Sequence, residues 1–232
     1  MHKLVKIKNF ILIFYLFNSL FTCAQTFKLS GEISNNSKGI KILSLYKKHN
    51  SYYKEFIYNI PVVDNKFIYI NNNIFEIDVY VIHNSYNNQF IQFIWDEDTK
   101  IIIDSISSFY KAKIINSPLD NEFTEFDSIM QDSLFKPIRE LDRLITMKKK
   151  DCPDGCDSLS ILLNLRENAE KFTRKNIIPF RLNYVKKHPN SFVSLFLLTL
   201  MGTENQNQEY REHFKLLDSI LKKHSRASIY TD

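Results

Sequence analysis

The sequence changes its hydrophobic period once, and that change limits the fold more than any other feature. Up to about Ile115, apolar residues recur mostly at every second position; beyond Phe123 they recur at every third or fourth. The switch falls within Ile115–Phe123, read as INSPLDNEF. A period of two belongs to half-buried strands, and a period near 3.6 to amphipathic helices. Ser117 can cap a helix, Pro118 suits the first helical position, and Asp120 stands where a capping box places its acid. The expected class is α+β: an N-terminal antiparallel β-sandwich or open barrel, about 26–116, followed by an all-α helical domain over 117–232.

In the first half, Thr26–Ser34, Ile40–Tyr46, Tyr52–Ile60, Phe67–Ile70, Ile77–Ile82, Gln89–Trp95, Lys100–Asp104 and Lys113–Ile115 read as strands. Asn- and Gly-rich turns separate them, among them Asp64-Asn65. In the second half, Leu119, Phe123, Phe126, Met130, Leu134, Ile138, Leu141 and Ile145 form one stripe on a long helix, with Pro137 set to kink or split it. A second long helix starts at Asp157 or Ser158 and carries Pro179, where a kink is again expected. His188-Pro189-Asn190-Ser191 should stop it and cap a third helix, Phe192–Met201, which is apolar nearly all round. Glu209–His224 reads as a final amphipathic helix, with a frayed tail after it.

Residues 1–25 read as an export signal. Lys3, Lys6 and Lys8 precede the apolar run Phe10–Phe17, and Thr22, Cys23 and Ala24 follow as small or neutral residues. The apolar run falls short of the roughly 20 residues that a membrane span needs. Two processing routes fit. Leu20-Phe21-Thr22-Cys23 is close to a lipoprotein box, which would put a lipid anchor on Cys23; ordinary cleavage after Ala24 would leave Gln25 first. Either route places the mature chain in the cell envelope, in the periplasm or as an outer-membrane or cell-surface lipoprotein. Loss of the three leader lysines takes the formal net charge from +5 to +2. No basic stripe remains to suggest nucleic-acid binding. The four glycines are too scattered for a phosphate loop, and no nucleophile-elbow, P-loop or His-Glu-x-x-His pattern occurs.

Four stretches carry a resemblance: FKLSGEIS at Phe27–Ser34, VVDNKFIY at Val62–Tyr69, INSPLDNEFTEF at Ile115–Phe126 and YVKKHPNSFVSLFLL at Tyr184–Leu198. Together they resemble the N-terminal region of Bacteroidota envelope thiol:disulfide proteins. In that family a β-rich domain of unknown function and a helical segment precede a TlpA-type thioredoxin domain. The resemblance implies an accessory or binding role, with a thioredoxin-like envelope protein, a peptide or a glycan as partner. The family's Trp-Cys-x-x-Cys site has no counterpart here, since the only tryptophan is Trp95, so its redox residues carry over to no position of this chain. No catalytic residue, cofactor or metal site is expected.

Cys152-Pro-Asp-Gly-Cys156 is the sharpest local feature. Its turn chemistry can bring the two thiols within disulfide reach, and in an oxidising envelope a structural bridge is the simplest reading. The alternative is a thiol:disulfide oxidoreductase, or a fragment of one, acting through Cys152 and Cys156 or through a missing thioredoxin domain. Asp151, Asp154 and Asp157 crowd the pair and should outweigh the helix N-terminus at Cys156, raising the thiol pKa values. Asp96-Glu97-Asp98 reads as a solvated charged turn and His188 as a helix-terminating residue. The aromatics of Phe27–Tyr110 read mainly as core; exposed on one sheet face, they would suit a glycan.

Overall fold

The structure is a computed structural model that describes residues 27–34, 39–49, 54–71, 76–152, 156–200 and 208–231. The export signal with Cys23, and residues 153–155 between the paired cysteines, lie outside the described residues. The chain divides into two compact units, residues 1–46 with 56–117 and residues 47–55 with 118–232.

The described residues form eight strands: β1 (Phe27–Ile33), β2 (Ile42–Lys48), β3 (Lys54–Val63), β4 (Lys66–Asn71), β5 (Asp78–Asn84), β6 (Gln89–Trp95), β7 (Thr99–Ile103) and β8 (Lys113–Ile115), all in the first unit except for Lys47–Lys48 of β2 and Lys54–Glu55 of β3. They form one sheet, ordered β6-β5-β2-β3-β4-β1-β7-β8, that nearly closes into a barrel. The sheet is mixed, because β1 pairs antiparallel with β4 but parallel with β7. A purely antiparallel arrangement was expected. Alternation tells which face of a strand is buried, not which strand lies beside it. A 3-10 turn over Ile106–Lys111, unforeseen in the sequence, precedes β8.

The alternating residues converge as their period requires. Leu29 and Ile33 of β1, Leu43 and Leu45 of β2, Ile60, Phe67, Ile82, Phe93, Trp95, Ile101 and Ile103 share one core with Phe109. Of the described aromatics in this half, Phe67, Tyr80, Phe93, Trp95 and Phe109 serve that core, where Tyr80 meets Trp95 edge-on at 5.2 Å and Phe93 at 6.3 Å, whereas Phe56, Tyr58, Tyr86, Phe90 and Tyr110 are exposed. Asp64 and Asn65 both take positive φ, 49° and 61°, the backbone that a tight β3–β4 hairpin turn needs. In β3 the alternation slips by one residue. Ile57 and Ile60 both pack on the core, whereas Phe56 and Asn59 reach Tyr46 and Ser44 on the opposite face.

The second unit contains α1 (Pro118–Met130), α2 (Lys136–Asp151), α3 (Asp157–Lys187), α4 (Phe192–Thr199), α5 (Gln208–Leu216) and a last turn α6 (Ser228–Thr231). Pro137 splits the first long helix as expected, and the manner is specific. A π-helical turn, Gln131–Phe135, is inserted just ahead of it, and Lys136 donates its N–H to the Gln131 carbonyl five residues back. The wider turn accommodates a residue that has no N–H to give. From α3, the buried Thr173 hydroxyl donates to the Leu134 carbonyl inside that turn at 2.7 Å. Pro179 does not divide α3, which runs unbroken for 31 residues.

Ser191 caps α4 through the Val193 N–H at 3.0 Å, and all eight residues of α4 are buried. The last amphipathic stretch stops earlier than its stripe suggested. Asp218 accepts the Ile220 N–H at its side chain and donates its own N–H to the Pro189 carbonyl, which turns the chain. The tail is docked rather than frayed. Ala227 and Tyr230 are buried, the Tyr230 hydroxyl donates to the Leu198 carbonyl at 2.8 Å, and Arg226 donates to the carbonyls of Lys48 and His49. Among the described residues, no helix is long and apolar enough to cross a membrane.

Candidate functional site

The helical unit contains a cleft of about 350 Å³ between α1 and α3. Helical spacing builds both walls. Glu122, Glu125, Phe126 and Ile129 step by threes and fours along one face of α1, and Phe180, Asn183, Tyr184, Lys187 and His188 do so along α3. The floor is aromatic. Phe126 meets Tyr184 edge-on at 4.7 Å and Phe180 at 5.7 Å, and the Tyr184 ring stacks flat on His188 at 4.2 Å.

These contacts set a polarity along the cleft. Tyr184 donates its hydroxyl to Glu122 Oε1, so the C-terminal end of α3 lies beside the N-terminal end of α1. Glu122, Lys187 and His188 gather there with Glu125 one turn on, while Ile129 and Phe180 leave the other end apolar. Burial, and then the hydrogen bond to Glu122, push the Tyr184 pKa well above its usual 10.0, so the phenol stays protonated and serves as a donor. Among the described residues, neither Glu125 nor Lys187 forms an ion pair, so each can receive a ligand of opposite charge.

A second hollow of about 320 Å³ lies beside the π-turn, where Arg166, Glu170 and Arg174 contribute to its lining. Its charges are already paired: Arg166 bridges Asp142 at 2.6 Å and Glu170 at 3.0 Å, and Arg174 bridges Glu170 at 2.7 Å.

The cysteine pair sits where two long helices meet their shared loop. Cys152 ends α2 and Cys156 is the N-cap of α3; both are half-buried and free. Cys156 Sγ lies 3.1 Å from Ser158 Oγ. The two thiols differ in a way that the acidic surroundings did not suggest. The hydrogen bond from Cys152 to Cys156 raises the pKa of Cys152, with burial adding to it. The same bond, joined by that of Ser158, lowers the pKa of Cys156. Direct donors to the Cys156 sulfur decide its shift, whereas the Asp151 carboxylate is the smallest of the causes that raise Cys152.

The remaining sequence candidates have structural partners. Asp96 is buried rather than solvated, and the Ser117 hydroxyl sits 2.6 Å from its Oδ1 and 2.7 Å from the Ile94 carbonyl. Asp98 accepts the Lys28 N–H at 2.8 Å. His83 bonds Asn88, His213 bonds the Glu209 carbonyl, and His224 accepts the Arg226 N–H. His188 does end α3, and its carbonyl accepts from the Ser191 N–H and the Ser194 hydroxyl. Sequence reasoning missed the cleft, although the signal was present. Glu122 and Glu125 share a helical face with Phe126 and Ile129, a polar edge on an apolar stripe. Comparison with known proteins finds no matching family model, no matching curated protein and no matching solved structure.

Proposed function

We propose that this chain is an exported cell-envelope accessory protein that binds a ligand in the α1–α3 cleft and has no catalytic site of its own. It would be related to the N-terminal region of TlpA-type thiol:disulfide proteins. The observation that carries this reading is the cleft itself: an aromatic floor, an apolar end and a few convergent polar groups, the usual make-up of a small-ligand site. Its phenol is held protonated against Glu122, which suits recognition more than proton abstraction. The test is amide chemical-shift mapping of the isotope-labelled chain against free amino acids, short peptides and short oligosaccharides. Saturable shifts confined to α1 and α3 support the reading. Shifts confined to the sheet, or none from any of the three classes, overturn it.

Export has its own test, the mass of the mature N-terminus. A diacylglyceryl-modified Cys23 or a chain beginning at Gln25 is expected; a chain still carrying Met1 in the cytoplasm contradicts it.

One observation favours a second reading, thiol:disulfide exchange at Cys152 and Cys156. The sulfur with the lowered pKa belongs to the N-cap residue of α3, and its partner can resolve. In this reading the Cys156 thiolate attacks a substrate disulfide and releases one substrate thiolate. Cys152, giving up its proton, then attacks Cys156 Sγ of that mixed disulfide and expels the second substrate thiolate, so the pair is oxidised to a disulfide as the substrate is reduced to two thiols. A redox titration separates this from a structural bridge. A staple stays oxidised down to about −300 mV, whereas an exchanging pair reduces near roughly −200 mV or higher.

A further inference from the structure

The cleft presents opposite charges on its two walls. Glu125 stands on α1 and Lys187 on α3, and neither is ion-paired among the described residues. Glu122 keeps Oε2 in addition to the oxygen that Tyr184 binds, and the Asn183 amide adds a donor and an acceptor. These groups lie toward one end. The other end is apolar, with the Phe180 ring and the Ile129 side chain set around the buried Phe126.

A cation alone would meet Lys187 as well as the carboxylates, and an anion alone would meet Glu122 and Glu125. A ligand with both charged groups on one carbon and one apolar arm satisfies each wall without opposing the other. The free α-amino acid is the simplest molecule of that kind. A peptide places its ammonium and carboxylate at opposite ends, farther apart with every residue. A cleft of about 350 Å³ holds one such molecule with a large side chain.

We infer that the α1–α3 cleft binds a free zwitterionic amino acid with an aromatic or large aliphatic side chain, its ammonium toward Glu125 and Glu122, its carboxylate toward Lys187, and its side chain over Phe126 and Phe180. This inference rests on the reading of the cleft as the binding site.

The test is calorimetric titration of the full chain with L-phenylalanine, phenethylamine and 3-phenylpropionate. The last two keep the ring but lack the carboxylate and the ammonium respectively. Phenylalanine is expected to saturate one site, and each analogue to bind roughly tenfold more weakly, since each loses a charge-assisted contact. Glu125→Gln should weaken phenylalanine but not phenylpropionate; Lys187→Gln should weaken phenylalanine but not phenethylamine. Equal affinity for all three compounds, or unchanged phenylalanine affinity in both variants, overturns the inference. If peptides or oligosaccharides shift the cleft resonances and phenylalanine does not, the cleft remains a binding site and the amino-acid inference alone fails.

Discussion

Single residues hold this fold at points where size or one hydrogen bond decides. Gly31 of β1 faces Phe67 on β4 and Ile101 on β7. A Cβ there would lie 2.2 Å from Phe67 Cζ and 2.4 Å from the Ile101 carbonyl oxygen. The ring can move; the backbone oxygen of the parallel partner cannot do so without disturbing the ladder. Gly31→Ala is therefore expected to cost about 1–3 kcal/mol or more, read as a lowered denaturant midpoint. An unchanged midpoint would mean that β1 and β7 are not packed so closely. In the helical unit, Thr173→Val keeps the shape but removes the donor to the Leu134 carbonyl. A loss of about 1–3 kcal/mol in the same measurement is expected.

At the scale of elements, the sequence was legible wherever local rules decide. Alternation together with turn residues located the strands, and the start at Pro118, the break near Pro137 and the Ser191 cap are properties of single residues. What stayed hidden depends on partners distant in the chain. The parallel β1–β7 pair cannot be read from Leu29 and Ile101 separately. The slip in β3 is visible only in which residues Phe56 and Asn59 meet. The tail from Ser225 onward lacks a stripe, yet Arg226 and Tyr230 fasten it through hydrogen bonds to carbonyls. Arg226→Ala should leave the Lys48 and His49 carbonyls without that donor. It should destabilise the helical unit by about 1–3 kcal/mol and speed amide exchange over 208–231. At the cysteine loop, the sequence put the carboxylates next to the thiols but could not place the Cys152 and Ser158 donors on the Cys156 sulfur. Cys156 is accordingly expected to react with iodoacetamide before Cys152 as pH is raised. The reverse order would contradict the assigned polarity.

For the whole molecule, the clearest pH dependence lies on the alkaline side. Burial pushes the pKa values of both Tyr184 and Tyr230 above the ordinary 10.0. Above about pH 10 the unfolded chain releases these two protons and the folded chain retains them. The unfolded state then binds fewer protons, and stability falls as pH rises. Below that range neither tyrosine contributes a pH dependence. The thermal midpoint is expected to decline from about pH 10 upward, and less steeply in Tyr230→Phe. A decline just as steep in that variant would assign the effect to other groups.

The proposed function requires the α1–α3 cleft to be where this protein meets its ligand. Ile129 lies on the cleft wall and is largely exposed, so its δ1-methyl group is a direct reporter. The decisive measurement is a methyl NMR titration of the isoleucine-labelled chain with phenylalanine, with glycine as a control lacking the apolar arm. The Ile129 signal is expected to shift and saturate with phenylalanine only, while Ile42, Ile68 and Ile70 of the sheet remain still. A silent Ile129 alongside shifting sheet isoleucines would contradict the proposed function and move the binding site to the β-rich unit.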